Sequence, residues 1–60
     1  MIPNLGDIIC NRYEHWLVYD RVEYRNNVIQ YKVYVLDRDT YSTYTAPFNG
    51  VLPDLFTLAA

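Results

Sequence analysis

The stretch Val28-Ile29-Gln30-Tyr31-Lys32-Val33-Tyr34-Val35-Leu36 decides the fold. Ile29, Tyr31, Val33 and Val35 fall on one phase of a two-residue repeat, and Gln30, Lys32 and Tyr34 on the other, the pattern of a strand that buries one face. Branched and aromatic side chains suit a pleated, half-buried surface. On the amino-terminal side stands Asn26-Asn27, and asparagine tolerates the positive φ that tight hairpin turns require. The segment His15 to Glu23 is then the partner strand, with Trp16, Val18 and Val22 on one side and Leu17, Tyr19 and Arg21 on the other. Asp20 interrupts the apolar phase, which predicts a bulge or bend there.

Working toward the carboxyl end, Asp37-Arg38-Asp39 supplies a second turn and Thr40 to Thr45 a half-exposed strand of alternating threonine and tyrosine. Pro47 ends pairing because it has no amide donor, and Asn49-Gly50 makes another tight turn. Pro53-Asp54-Leu55-Phe56 predicts a short helical turn before a brief last strand. A first strand is expected from Asp7 to Arg12, after a turn at Gly6. No ten-residue stretch carries a helical stripe, so the expectation is all-β. Five short strands in 60 residues are too few for two full sheets, and a strongly bent sheet curled into a small barrel is the economical solution. Its expected core is Ile8, Trp16, Val18, Val22, Ile29, Tyr31, Val33, Val35 and Leu55.

Composition narrows the function classes. The apolar fraction of 52% is too high for a disordered chain, while a domain of this size buries only about 60% of its unfolded surface, so help from a partner or a second copy is expected. Five Lys and Arg against seven Asp and Glu leave a net charge of −2, which disfavours a polyanion binder. Cys10 stands alone and cannot form an internal disulfide, which suits a reducing, cytoplasmic setting. No apolar run is long enough for a helix to span a bilayer, and Met1-Ile2-Pro3-Asn4 lacks the features of a signal peptide. No membrane association is expected.

The order of elements resembles the SH3-like barrels, especially the short KOW/Tudor-type members. The likeness is carried by Gly6-Asp7-Ile8-Ile9, Trp16-Leu17-Val18-Tyr19-Asp20, Tyr31-Lys32-Val33-Tyr34-Val35-Leu36 and Asp54-Leu55. It implies a single five-stranded SH3-like barrel over residues 1–60, with a short helical turn before the last strand. For the KOW type it also implies a nucleic-acid role, although His15-Trp16 stands where that type usually carries a glycine. The compact chain also looks like many small phage-encoded proteins. Leu58-Ala59-Ala60 resembles the end of the tag added by bacterial trans-translation, which implies capture by an unfoldase.

Candidate chemistry is sparse. Cys10 and His15 could pair as nucleophile and base, but nothing in the sequence orients the histidine or supplies an oxyanion site. His15 with Glu14 gives too few ligands for zinc, and Asp37, Asp39 and Thr40 lack the later carboxylates of a calcium loop. Neither catalysis nor a cofactor is expected. Seven tyrosines are the one abundant feature, and tyrosine offers large contact area at low entropic cost. Tyr19, Tyr34 and Tyr44, with Leu17, Arg21 and Lys32 nearby, are the expected partner-binding patch of a non-catalytic protein-interaction module, acting on a host or virion protein or between copies. The alternatives are a nucleic-acid binder using Arg12, Arg21, Arg25, Lys32 and Arg38, and a small virion component.

Overall fold

Asn26 and Asn27 take φ values of 62° and 61°, so the turn between the two longest apolar runs has the left-handed backbone that favours asparagine. Around it the chain folds back as an antiparallel pair. The computed structural model describes residues 1–59. It is all-β: β1 (Ile8–Cys10), β2 (His15–Glu23), β3 (Ile29–Val35), β4 (Thr40–Ala46) and β5 (Thr57–Leu58). The strands form one antiparallel sheet in the order β4-β3-β2-β1-β5. Among the described residues the only helical element is the lone 3-10 turn Arg25–Asn27.

β3 is the spine of the core, with Ile29, Tyr31, Val33 and Val35 buried and the residues between them half-buried. Val18 of β2 lies opposite Val33, and Trp16 opposite Val35. The register then shifts between Val18 and Asp20, which makes Tyr19 the extra residue of a bulge and exchanges the faces beyond it. Asp20 therefore lies outside, opposite Lys32, and Arg21 inside, opposite Tyr31. Val22 pairs with Gln30 on the outer face and is half-buried, so its expected place in the core is corrected.

Three other expectations are corrected. β1 stops at Cys10 because the Asn11 side chain accepts from the N–H groups of Tyr13 and Glu14, at 2.8 and 2.9 Å, and turns the chain. Ile9 is the buried residue of β1 and Ile8 is exposed, since two adjacent isoleucines give no alternation from which to choose a face. Leu55 is 60% exposed and Phe56 6%. The Phe56 N–H donates to the Pro53 carbonyl at 3.1 Å, and the resulting turn carries Leu55 at its outer bend.

β4 and β5 are opposite edges of the sheet, so residues 47–56 must cross from one side to the other. They cross over the apolar face, burying Leu52 and Phe56 there. Phe56 packs against Trp16 and Tyr44, with ring centroids 5.1 and 5.4 Å away, and Trp16 and Tyr44 are themselves 5.8 Å apart. Hydrogen bonds tie this covering segment down, the Met1 amino group donating to the Leu52 carbonyl at 3.2 Å among them. The Leu52 N–H donates to the Met1 carbonyl at 2.7 Å, the Asn49 N–H to the Asn27 carbonyl at 2.9 Å, and the buried Tyr31 hydroxyl to the Gly50 carbonyl at 2.6 Å. Burial pushes the Tyr31 phenol up, and Arg21 opposes this in part.

The β3–β4 turn is fastened to β2. The His15 N–H donates to Asp37 Oδ1, His15 Nδ1 lies 3.0 Å from Asp37 Oδ2, and the Leu36 N–H donates to the His15 carbonyl at 2.9 Å. Donation from the His15 backbone, then from its ring, holds the Asp37 carboxyl below its ordinary value of 3.8. A depressed carboxyl contributes stability above its ordinary value, and this is lost as pH falls through the folded value. Melting temperature should therefore drop below pH 3.8 in the wild type, and Asp37→Asn should flatten that acid limb. Equal acid slopes in thermal melts of the two proteins would refute this coupling.

Candidate functional site

The solvent face of an antiparallel sheet is ordinarily polar, but here the register lays an apolar row across four strands. Ile8 pairs with Leu17, Leu17 with Tyr34, and Tyr34 with Tyr41. The two tyrosine rings at the end of the row are 5.1 Å apart. Tyr19, released from strict alternation by the bulge, sets its ring edge-on to Tyr41 at 5.7 Å and 85°. Edge-to-face contacts of this kind hold aromatic groups in place beyond simple area burial. The Tyr34 hydroxyl is fixed by Asp39 Oδ1 of the following turn. Tyr41 remains 73% and Tyr19 44% exposed, so the rings are ordered yet open to solvent.

Of the six residues expected in the patch, Leu17, Tyr19, Lys32 and Tyr34 lie on this face, and two do not. Tyr44 is opposite Tyr31 on the inner face and packs on Trp16 and Phe56. Arg21 is turned inward by the bulge, and its Nη2 lies 3.0 Å from Glu23 Oε1. The ring that takes the place of Tyr44 is Tyr41. The turn between β3 and β4 provides the missing signal: with four residues, 36–39, between the strands, Val35 faces Thr40 and Tyr34 must face Tyr41.

Lys32 stands in the neighbouring row between Asp20 and Thr43. Arg38 is paired with Glu14 at 2.6 Å, and Arg21 with Glu23. Two of the five basic residues are thus engaged by carboxylates, which lowers the positive charge they would present to a phosphate backbone. Comparison with protein-family models, with curated proteins and with solved structures returns no match.

The structure adds a partner for the Cys10 and His15 pair considered from the sequence, namely Asp37 at the histidine ring. Cys10 and His15 are directly opposed on β1 and β2, and Asp37 orients the histidine ring. The Cys10 sulfur, however, contacts Thr57 Oγ1 at 3.5 Å. Among the described residues no three His, Cys, Asp or Glu side chains come together as a metal site. An apolar groove of 350 Å³ between Tyr44, Phe48 and Leu52 is lined by no acid, base or thiol. No helix among the described residues is long and apolar enough to cross a membrane. Of the terminal tripeptide, Leu58 is exposed in β5 and the Ala59 N–H donates to the Ile8 carbonyl at 2.9 Å, while Ala60 lies outside the described residues.

Proposed function

We propose that this chain is a non-catalytic protein-interaction module that docks a protein partner on the outer face of its sheet. The observation that carries the reading is the apolar row Ile8-Leu17-Tyr34-Tyr41, with Tyr19 packed onto it. Pre-ordered, exposed tyrosines resemble the aromatic centres of protein interfaces, which gain contact area with little loss of side-chain freedom. Lys32 and Asp20, in the next row, give that centre a polar border. The strand order and the covering connection from β4 to β5 support reading the fold as an SH3-like barrel. A free thiol at Cys10 supports a reducing compartment such as a bacterial or phage-infected cytoplasm.

Affinity capture from bacterial lysate, with nuclease and at moderate salt, should retain a defined protein. The double variant Tyr19→Ser/Tyr34→Ser should weaken that capture about thirtyfold, as expected for loss of a central aromatic contact, and keep its circular dichroism. Recovery of nuclease-sensitive material alone would make nucleic acid the ligand. Unfolding of the double variant would make the tyrosines structural instead.

A further inference from the structure

Sheets end in edges whose free backbone groups can pair with any strand that reaches them, and natural proteins guard such edges with short strands, charges, prolines or bulges. The two edges of this sheet are treated differently. β5 is two residues long. β4 runs for seven residues, Thr40-Tyr41-Ser42-Thr43-Tyr44-Thr45-Ala46, without a charge, a proline or an irregularity in its register with β3. Among the described residues its pairing partner is β3 alone, and Thr40 to Thr43 are exposed. Its side chains are those that favour strand pairing.

We propose that β4 pairs antiparallel with the β4 of a second copy, joining two five-stranded sheets into one of ten. The missing guards are the ones that ordinarily prevent self-pairing, and the strand most available to an unguarded edge is its own copy. Charge points the same way. The chain has a net charge of −2, yet the edge is neutral, so two copies can meet there without like charges opposed, and nothing on it selects a charged partner instead.

A two-fold axis through Thr43 pairs the accessible stretch of β4: Thr43 faces itself, Tyr41 faces Thr45 and Ser42 faces Tyr44, while Ala46, buried within its own chain, marks the limit of the pairing. Each pair joins residues of the same phase, so the outer faces of both copies lie on the same side of the joined sheet. The two apolar rows, each ending at Tyr41, become one surface. Such an interface is isologous and closes at two copies. It doubles the docking face proposed above but does not depend on that face having a ligand.

The test is the oligomeric state of the full chain by sedimentation and light scattering, from micromolar to millimolar concentration. The wild type should show a dimer with concentration-dependent dissociation. Thr43→Glu places a carboxylate opposite Lys32 within the chain, which the fold accommodates, and two carboxylates face to face on the axis. It should weaken dimerisation about tenfold or more. Mixing Thr43→Glu with Thr43→Lys should restore the dimer as a mixed pair. Tyr19→Ser/Tyr34→Ser should leave the dimer intact, which separates the edge from the face. A wild type that stays monomeric throughout overturns the proposal, as does a dimer that tolerates Thr43→Glu but is lost in the tyrosine variant.

Discussion

Gly50→Ala is expected to remove most of the stability of this domain. Gly50 has a φ of 80°, a backbone conformation that costs a residue with a Cβ about 1–2 kcal/mol. Its surroundings leave no room for the added atom. A Cβ there would lie 2.6 Å from the Tyr31 hydroxyl and 3.1 Å from Ile29 Cγ1. Tyr31 is held at the centre of the core by its hydrogen bond to the Gly50 carbonyl, so displacing its ring disturbs the packing around it. Overpacking of this kind costs about 1–3 kcal/mol. The two effects total about 2–5 kcal/mol, against a stability of about 3–9 kcal/mol for a domain of this length. Thermal denaturation should show a fall of about 8 °C or more, at about 4–8 °C per kcal/mol. Gly6→Ala is the control. Gly6 has a φ of 92° with nothing within 4 Å of an added Cβ, so it should suffer the backbone term alone. Equal shifts in the two variants would show that the contact with Tyr31 is without consequence.

Phe56→Ala should rank beside it. The ring is 6% exposed and touches both Trp16 and Tyr44, joining the covering segment to β2 and β4. Truncating a buried phenylalanine to alanine costs about 3–5 kcal/mol, enough to release residues 47–58 from the sheet or to unfold the chain. Its neighbour gives the contrast. Leu55→Ala removes a side chain that projects into water, and the melting curve should barely move, within about 0.5 kcal/mol. Tryptophan fluorescence of Trp16 would report loss of the Phe56 contact directly. Similar melting of the two variants would mean that the core ends before Phe56.

The adjacent pair Leu55 and Phe56 also shows where the sequence was legible and where it was not. Alternation from Ile29 to Val35 specified β3, and the asparagines at 26 and 27 specified the turn before it, because each signal is local and has one physical reading. The start and end of β2 at His15 and Glu23 followed from the same logic. Where two apolar residues stand together, as at Ile8-Ile9 and Leu55-Phe56, periodicity gives no choice of face. Only the packing of distant segments decides it.

The bulge at Tyr19 was legible as an irregularity near Asp20, but its effect on the patch was not. One inserted residue moved Arg21 inward and left Tyr19 outside, a consequence that depends on which residue is skipped in the pairing. Tyr41 and Tyr44 are separated by three positions and so must lie on opposite faces. Assigning them required the length of the β3–β4 turn.

The connection over the apolar face has a consequence for the order of events at synthesis. Strands β1 to β4 leave the ribosome before residues 47–56, and hairpins between neighbouring strands need only short chain closures. The partly made protein can therefore assemble most of its sheet while Ile9, Val18 and Val33 are still bare to water on one side. Only when Leu52 and Phe56 arrive is that surface shielded. A stalled or clipped chain ending near Ala46 would carry both an uncovered apolar face and an unguarded neutral edge, the combination most prone to uncontrolled clumping. The emergence of residues 47–56 is thus also the step that makes the sheet safe from its own exposed face.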